Sequence, residues 1–147
     1  AVWQNQLGLL YLFQRDALTS LYNAILFTEA VNGHSFDAEK IARTIATSSL
    51  VKTAFFGEDA NWGRILAAMG RSGVRFTPER VDLAFGNVLM VKNGLSLGKE
   101  AEAAATLILK ERNFAVCIDL KDGPGCEEIY TCDFSLDYVK INADYRS

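Results

Sequence analysis

The sequence has few prolines, which commonly mark turns and linkers, and few histidines and cysteines, which commonly act in catalysis or bind metals. It contains two prolines, one histidine and three cysteines among its 147 residues. The cysteines at positions 117, 126 and 132 form no CxxC pair, which favours free thiols in a reducing cytosol over a disulfide framework or a zinc site. The scarcity of proline leaves no obvious linker, so residues 1–147 are predicted to form a single domain.

The sequence also lacks a strong charge of one sign and a long apolar run. The net charge is −3 and the basic residues are scattered, which gives no electrostatic reason to expect binding to nucleic acid or to an anionic membrane. The apolar stretch at residues 7–13 is far too short to cross a bilayer. No basic segment leads into it and no small-residue cleavage site follows it, so we expect no secretory signal and a cytoplasmic location.

What is present is the composition and periodicity of a packed domain. Half of the residues are hydrophobic and 22% are charged, which excludes wholesale disorder. Apolar residues at helical spacing predict helices at residues 35–48, 61–69 and 99–112, the second ending with Gly70 at its C′ position. Short apolar runs predict strands at residues 50–56, 81–91, 114–120 and 129–134. Together they predict an α/β or α+β fold with a mixed sheet packed in layers against helices.

Three short segments predict local turns. The Asn93-Gly94 pair is the signal of a type I′ hairpin that leads into residues 95–97. Pro78 occupies the first position of a predicted single helical turn, where a proline is well tolerated. The glycine-bearing loop at residues 122–125 lacks the lysine and the spacing of phosphate-binding motifs, so it is predicted to connect two strands.

From residue types alone, few side chains suggest chemistry. His34 falls in a predicted turn, where a solvated surface histidine is the expected outcome. Glu58 and Asp59 precede a predicted helix, and the simplest interpretation is that they cap it and complement its dipole. The alternative is that this helix start binds a ligand, with Trp62 beside it and Arg64 pairing with a carboxylate.

Two longer segments point further. Residues 47–68, TSSLVKTAFFGEDANWGRILAA, and residues 132–147, CDFSLDYVKINADYRS, resemble signature stretches of the bifunctional ornithine acetyltransferase/glutamate N-acetyltransferase family of arginine biosynthesis. The resemblance extends over about residues 31–147 with matching order and spacing. It identifies the chain as the C-terminal part of a β-chain, with residues 1–30 divergent.

The resemblance implies a two-chain fold and a covalent mechanism. Members of the family are made as one precursor that cleaves itself before a threonine, and the α-chain and β-chain stay associated. The new terminal threonine takes the acetyl group from N-acetylornithine and passes it to glutamate. An oxyanion hole from the α-chain stabilises the intermediate. Some members also accept acetyl-CoA, which would be a substrate rather than a bound cofactor. The αβ units are expected to assemble further, into a heterotetramer.

Only part of the family's site is expected in this chain. The nucleophile, the oxyanion-hole residues and the substrate lysine have no positions here, so no catalytic residue is assigned, and no metal or cofactor site is implied. After Arg15-Asp16 the family's glycine-rich stretch with its glutamate is replaced by ALTSL. The family's substrate-contacting positions are matched by Asn142 and Ser147. An asparagine side chain offers both donors and an acceptor, which suits the charged groups of an amino acid.

Three hypotheses about function follow. The chain is an acetyltransferase β fragment that works with its partner segments, or an inactive truncated remnant that keeps only a folding or oligomerisation role. The third is a relative with another N-terminal-nucleophile activity, such as an aminopeptidase. The tail from Asn142 to Ser147 argues against the third. Coding sequence upstream of Ala1 that reaches a threonine cleavage site would separate the first two.

Overall fold

The computed structural model describes residues 11–15, 22–29, 35–123 and 126–144. In these residues strands and α-helices follow one another in groups, and a single 3₁₀ turn precedes the third strand. The helices are α1 (Ser35–Ala46), α2 (Ser49–Phe56), α3 (Trp62–Arg71), α4 (Lys99–Leu109) and α5 (Leu136–Asp144), and the 3₁₀ turn is Pro78–Arg80. None of the helices in the described part of the chain has the length and apolar character needed to cross a membrane.

The strands of the described residues form one sheet. They are β1 (Tyr11–Arg15), β2 (Tyr22–Glu29), β3 (Asp82–Phe85), β4 (Val88–Lys92), β5 (Leu95–Ser96), β6 (Asn113–Asp119) and β7 (Cys126–Thr131). Their order is β5-β4-β3-β6-β1-β2-β7, and all neighbours in this order are antiparallel. The sheet is mixed because β2 also runs parallel to the end of β6, with Leu26 opposite Val116. The predicted α+β fold with a mixed sheet is confirmed.

The helices cover the sheet in two groups and share one core with it. Helix α1 packs on β2, β7 and α3, whereas α4 packs on β3 and β4. Ile41 and Ile45 of α1, Leu83 and Phe85 of β3, and Leu109 of α4 are at most 1% exposed and belong to the same apolar cluster. Burying a side chain of this size stabilises the fold by about 1.5–3 kcal/mol, so these contacts hold the helices to the sheet.

The centre of the sheet is buried on its other face as well. Ala84 of β3 lies opposite Cys117 of β6 in the register of the two strands. Successive side chains of a strand point to opposite faces, so both point away from the Leu83 and Phe85 side. Ala84 and Cys117 are nevertheless fully buried. Cys117 is therefore buried and outside any disulfide, in a position typical of a small apolar residue.

Helix α2 replaces a predicted strand, and the strand prediction for residues 50–56 is wrong. The Ser48 side chain accepts a hydrogen bond from the Val51 N–H at 3.4 Å and caps the helix. Val51, Ala54 and Phe55 then share one face, and all three are buried. The β-branched and aromatic residues of this segment favour a strand, but such propensities are worth less than about 1 kcal/mol per residue. Capping and burial of one helical face outweigh them.

Several predicted element boundaries also change. The predicted strand at residues 81–91 is two antiparallel strands, β3 and β4, joined through Gly86 at φ 55°. Helix α3 continues through Gly70 to Arg71, so Gly70 is not its C′ residue. A left-handed glycine follows only at Gly73, with φ 76°. Helix α4 ends at Leu109, three residues before the predicted end.

The predicted turns at Pro78 and Asn93-Gly94 are confirmed. Asn93 has φ 48° and Gly94 has φ 75°, the positive angles that a type I′ turn requires at both central residues. The turn connects β4 to β5, with Lys92 opposite Leu95. Pro78 begins the 3₁₀ turn, as the sequence predicts.

Candidate functional site

Helix α5 carries Asn142, the first of the two residues predicted to contact substrate. The Ser135 hydroxyl oxygen accepts a hydrogen bond from the Tyr138 N–H at 2.9 Å and stabilises the first turn. The helix runs from Leu136 to Asp144, so Asn142 lies within it. Helical spacing places Tyr138 and Asn142 on the same side.

The Asn142 side chain is exposed and half-engaged, which means that only part of its hydrogen-bonding capacity is used within the protein. Its Nδ2 donates to the Tyr138 carbonyl at 2.9 Å. An amide nitrogen has two N–H groups and the amide oxygen is an acceptor. No donor from the described residues reaches that oxygen. Asn142 therefore offers one donor and one acceptor to a ligand. Ser147, the second predicted contact, lies outside the described residues, as does His34.

The segment that leads into α5 is attached to the body of the protein at two points. The Thr131 hydroxyl donates to the Ala46 carbonyl at the end of α1, at 2.7 Å. The Phe134 N–H then donates to the Lys52 carbonyl in α2, at 3.3 Å. The start of α5 is therefore held against α1 and α2.

Lys52 forms the third attachment, through its side chain. The residue is 8% exposed. Its Nζ lies 4.7 Å from the Phe134 ring centroid and 5.5 Å from that of Tyr138. The two rings stack with centroids 5.2 Å apart and planes inclined by 23°. Cation–π contacts range from about 0.5–1 kcal/mol at exposed sites to about 2 kcal/mol for a desolvated ammonium. The sequence contains one signal for this contact, a lysine within an apolar run. Such a lysine is expected to have a partner, because lysines are almost never buried without one.

The start of α3, considered from the sequence as a ligand site, is engaged in structural contacts. The N-cap is Asn61, whose side-chain oxygen accepts from the Arg64 N–H at 3.1 Å, rather than Glu58 or Asp59. The Asp59 carboxylate accepts from Asn61 Nδ2 at 2.9 Å. Arg64 Nη1 donates to the Leu50 carbonyl at 2.9 Å and to the Thr53 hydroxyl at 3.3 Å. Arg64 therefore joins α3 to α2 through one of its guanidinium nitrogens.

A buried carboxylate that the sequence did not single out lies at the end of the sheet. Asp82 accepts from the Lys121 ammonium at 2.7 Å, from the Asn93 N–H at 2.7 Å and from the Lys92 ammonium at 3.1 Å. Burial raises the pKa of Asp82, but these donors outweigh burial, so its pKa lies below the ordinary value of 3.8. The positive and negative groups compensate one another, which is the pattern of a structural ion network.

Groups of side chains that could hold a metal are absent from the described residues. In that part of the chain Cys117 and Cys132 are not in a disulfide. Of the two substrate contacts predicted from the sequence, the described residues include Asn142.

Comparison with known proteins gives a consistent result. A model described as the ArgJ family matches residues 25–147. The arginine biosynthesis bifunctional protein ArgJ of Desulfotalea psychrophila is 70% identical over 111 residues, which cover 76% of this chain and 28% of that protein. The protein of the same name from Geobacter sulfurreducens is 53% identical over 111 residues, with the same coverage of 76% and 28%.

A solved structure agrees with these relatives. The crystal structure of the arginine biosynthesis bifunctional protein argJ from Bacillus halodurans superposes with a TM-score of 0.71 at 35% identity. The match covers 81% of this chain and 56% of that chain. The chain thus spans 28% of the length of the two curated relatives described above.

Proposed function

Because the chain belongs to the ArgJ family, we propose that it is the C-terminal part of the β-chain of an acetyltransferase of arginine biosynthesis. The enzyme transfers an acetyl group from N-acetylornithine to glutamate. The observation that carries the proposal is the family match over residues 25–147 together with 70% identity to a relative named for this pathway. The exposed, half-engaged amide of Asn142 supports it from the structure.

The transfer proceeds through an acetyl-threonine whose hydroxyl lies outside this chain. That hydroxyl attacks the acetyl carbonyl of N-acetylornithine, the amide C–N bond breaks, and ornithine leaves after its amine takes up a proton. The glutamate amine then attacks the ester carbonyl, the C–O bond breaks, and the threonine hydroxyl is regenerated with release of N-acetylglutamate. Splitting one difficult exchange into two acyl transfers is the usual advantage of covalent catalysis. Acetyl-CoA is an alternative donor for the first half-reaction.

This chain contributes to substrate binding. The free N–H of Asn142 donates to the substrate carboxylate, or its oxygen accepts from the substrate ammonium. Ser147 adds a hydroxyl near the same group. A hydrogen bond to a charged group is worth about 1.5–3 kcal/mol, so either contact can discriminate an amino acid from an uncharged analogue.

The remaining parts of the active site come from partners. The α-chain of the same precursor supplies the oxyanion hole and the substrate lysine, and the αβ units associate into a heterotetramer. The fraction of the relatives' length that this chain spans, 28%, leaves room for these parts in the complete protein. The cytoplasm is the proposed location, which agrees with the absence of a disulfide at Cys117 and Cys132.

The proposal is tested with the complete gene product that contains this chain. The purified protein is incubated with N-acetylornithine and glutamate, and ornithine and N-acetylglutamate are quantified. Mass spectrometry of the protein incubated with N-acetylornithine alone should show one added acetyl group on a threonine. A complete protein that associates normally but transfers no acetyl group would contradict the proposal and favour an inactive remnant.

A further inference from the structure

We propose that Lys52 is a positioning residue that anchors helix α5 and thereby orients Asn142 toward the substrate. The anchoring follows from the contacts of α2 and α5. Its consequence for catalysis rests on the proposed function, because Asn142 acts on a substrate only in a working acetyltransferase.

Helix α5 has almost no packing of its own. None of its residues is buried, and Tyr138 alone is half-buried. Leu136 and Val139 are 77% and 55% exposed, so their apolar side chains add little to its attachment. A helix of nine residues is too short to be stable in water by itself. Among the described residues, its position therefore depends on Tyr138 and on the segment that precedes it.

Lys52 contacts both Tyr138 and the segment that precedes α5. Its carbonyl accepts from the Phe134 N–H at 3.3 Å, and its ammonium faces the stacked rings of Phe134 and Tyr138. No carboxylate of the described residues forms an ion pair with Lys52. The rings are therefore the partners through which its charge is compensated in this part of the chain.

The path from Lys52 to Asn142 is short. Tyr138 and Asn142 are four residues apart, on the same side of the helix, and joined by the hydrogen bond from Asn142 Nδ2 to the Tyr138 carbonyl. A rigid helix moves as a unit, so a shift of the Tyr138 ring shifts the Asn142 amide with it. Displacements of about 1 Å at a binding group are enough to reduce the rate or the affinity of an enzyme many-fold.

The chemistry of the side chain suits this role. The apolar stem of a lysine packs in the interior while its ammonium reaches the rings. Methionine keeps a similar stem and removes the charge, whereas arginine keeps the charge and also stacks on aromatic faces. Comparing Lys52→Met with Lys52→Arg therefore separates the charge from the packing. Lys140 of α5 is exposed, and Lys140→Met serves as the control for loss of a positive charge.

Amide hydrogen exchange in the complete enzyme tests the anchor. Lys52→Met should accelerate exchange in residues 136–144 by about tenfold, because the cation–π contacts that hold Tyr138 are lost. Exchange in α4 should not change, which shows that the domain is folded, and Lys140→Met should match the wild type. Unchanged exchange of α5 in Lys52→Met would overturn the anchor.

Steady-state kinetics with glutamate tests the positioning. Lys52→Met should raise KM for glutamate about fivefold with kcat within about twofold, and Lys52→Arg should restore KM to near the wild-type value. In the background of Asn142→Ala, Lys52→Met should add no further increase, since both changes remove the same contact. Additive effects, or a fall in kcat at constant KM, would overturn the positioning role. A wild-type enzyme without acetyl transfer would contradict the proposed function, while the exchange result would still decide the anchor.

Discussion

The Lys121 ammonium lies 2.7 Å from a carboxylate oxygen of Asp82, a side chain that is 2% exposed. Lys121 also donates to the Asn93 side-chain oxygen at 2.8 Å, and the Asn93 N–H donates to Asp82 at 2.7 Å. These contacts join β3, the β4–β5 turn and Lys121, the second residue after β6. Ion pairs and side-chain hydrogen bonds thus stabilise this end of the sheet in addition to the backbone hydrogen bonds between its strands.

Asp82→Ala should lower the free energy of unfolding by about 2 kcal/mol. The change removes hydrogen bonds to two ammonium groups and leaves the Asn93 N–H without its acceptor. Both lysines are partly exposed and regain water, which keeps the loss below that of a fully buried pair. Urea unfolding measures the effect. The control is Glu39→Gln, which breaks the exposed Arg43–Glu39 pair and should cost less than about 0.5 kcal/mol. Equal losses in the two variants would show that the Asp82 network contributes nothing specific.

Asp82 should also make stability depend on acidity. Because its pKa in the folded protein lies below the ordinary 3.8, the folded state favours the carboxylate relative to the unfolded chain. Its contribution is fully present above the unfolded pKa and is lost as the pH falls through the folded pKa. Urea unfolding midpoints measured between pH 6 and pH 2.5 should therefore fall less steeply in Asp82→Asn than in the wild type at the acidic end. Parallel pH profiles would contradict the assignment.

Gly94→Ala should destabilise the protein by about 1–3 kcal/mol. Gly94 has φ 75°, and an added Cβ would collide with the Pro78 carbonyl oxygen and approach Glu79 Cα to 3.0 Å. Both the backbone strain and the collision oppose the change. Gly70→Ala is the matched control. Gly70 lies in helix α3, and no atom lies within 4 Å of the position that an added Cβ would occupy. That variant should be stabilised by about 0.5–1 kcal/mol. Thermal unfolding of the two variants should move in opposite directions.

Asn142→Ala should weaken binding of the amino-acid substrate in the complete enzyme. Loss of one hydrogen bond to a charged group costs about 1.5–3 kcal/mol, which corresponds to roughly ten- to a hundredfold in affinity. If the contact is equally strong in the ground and transition states, KM rises and kcat is unchanged. Folding should be nearly unaffected because the side chain is exposed. Deleting residues 143–147 should have the same or a larger effect, since the Ser147 hydroxyl is lost too. Wild-type kinetics in both variants would remove Asn142 and Ser147 from the site.

Residues 1–147 expressed alone should transfer no acetyl group between N-acetylornithine and glutamate. The nucleophile and the oxyanion donors of the proposed mechanism lie outside this chain. Intact-mass spectrometry after incubation with N-acetylornithine should show the unmodified mass. An acetyl adduct on this chain alone would place a nucleophile within it and require a different mechanism.

Local sequence determined several elements of this protein by itself. The Asn93-Gly94 pair predicts its turn because both residues tolerate positive φ. The apolar spacing of Ile41 and Ile45 predicts α1, since one helical face must be buried. The family resemblance likewise depends on contiguous segments, residues 47–68 and 132–147, which need no knowledge of the fold.

Other features depended on residues that are far apart in the chain. The segment 50–56 has strand-like composition, and it becomes a helix because the core accepts Val51, Ala54 and Phe55 on one face. Asp82 and Lys121 are 39 positions apart in the chain. The β3–β6 register places Asp82 opposite Asp119, which brings Lys121 close to the Asp82 carboxylate. Lys52 contacts Phe134 and Tyr138 because the tertiary structure places α5 and the segment before it against α2. The sequence alone thus predicts a substrate contact at Asn142, whereas long-range packing decided which residues hold the helix that carries it. Burial and charge compensation are properties of assembled surfaces rather than of neighbouring residues.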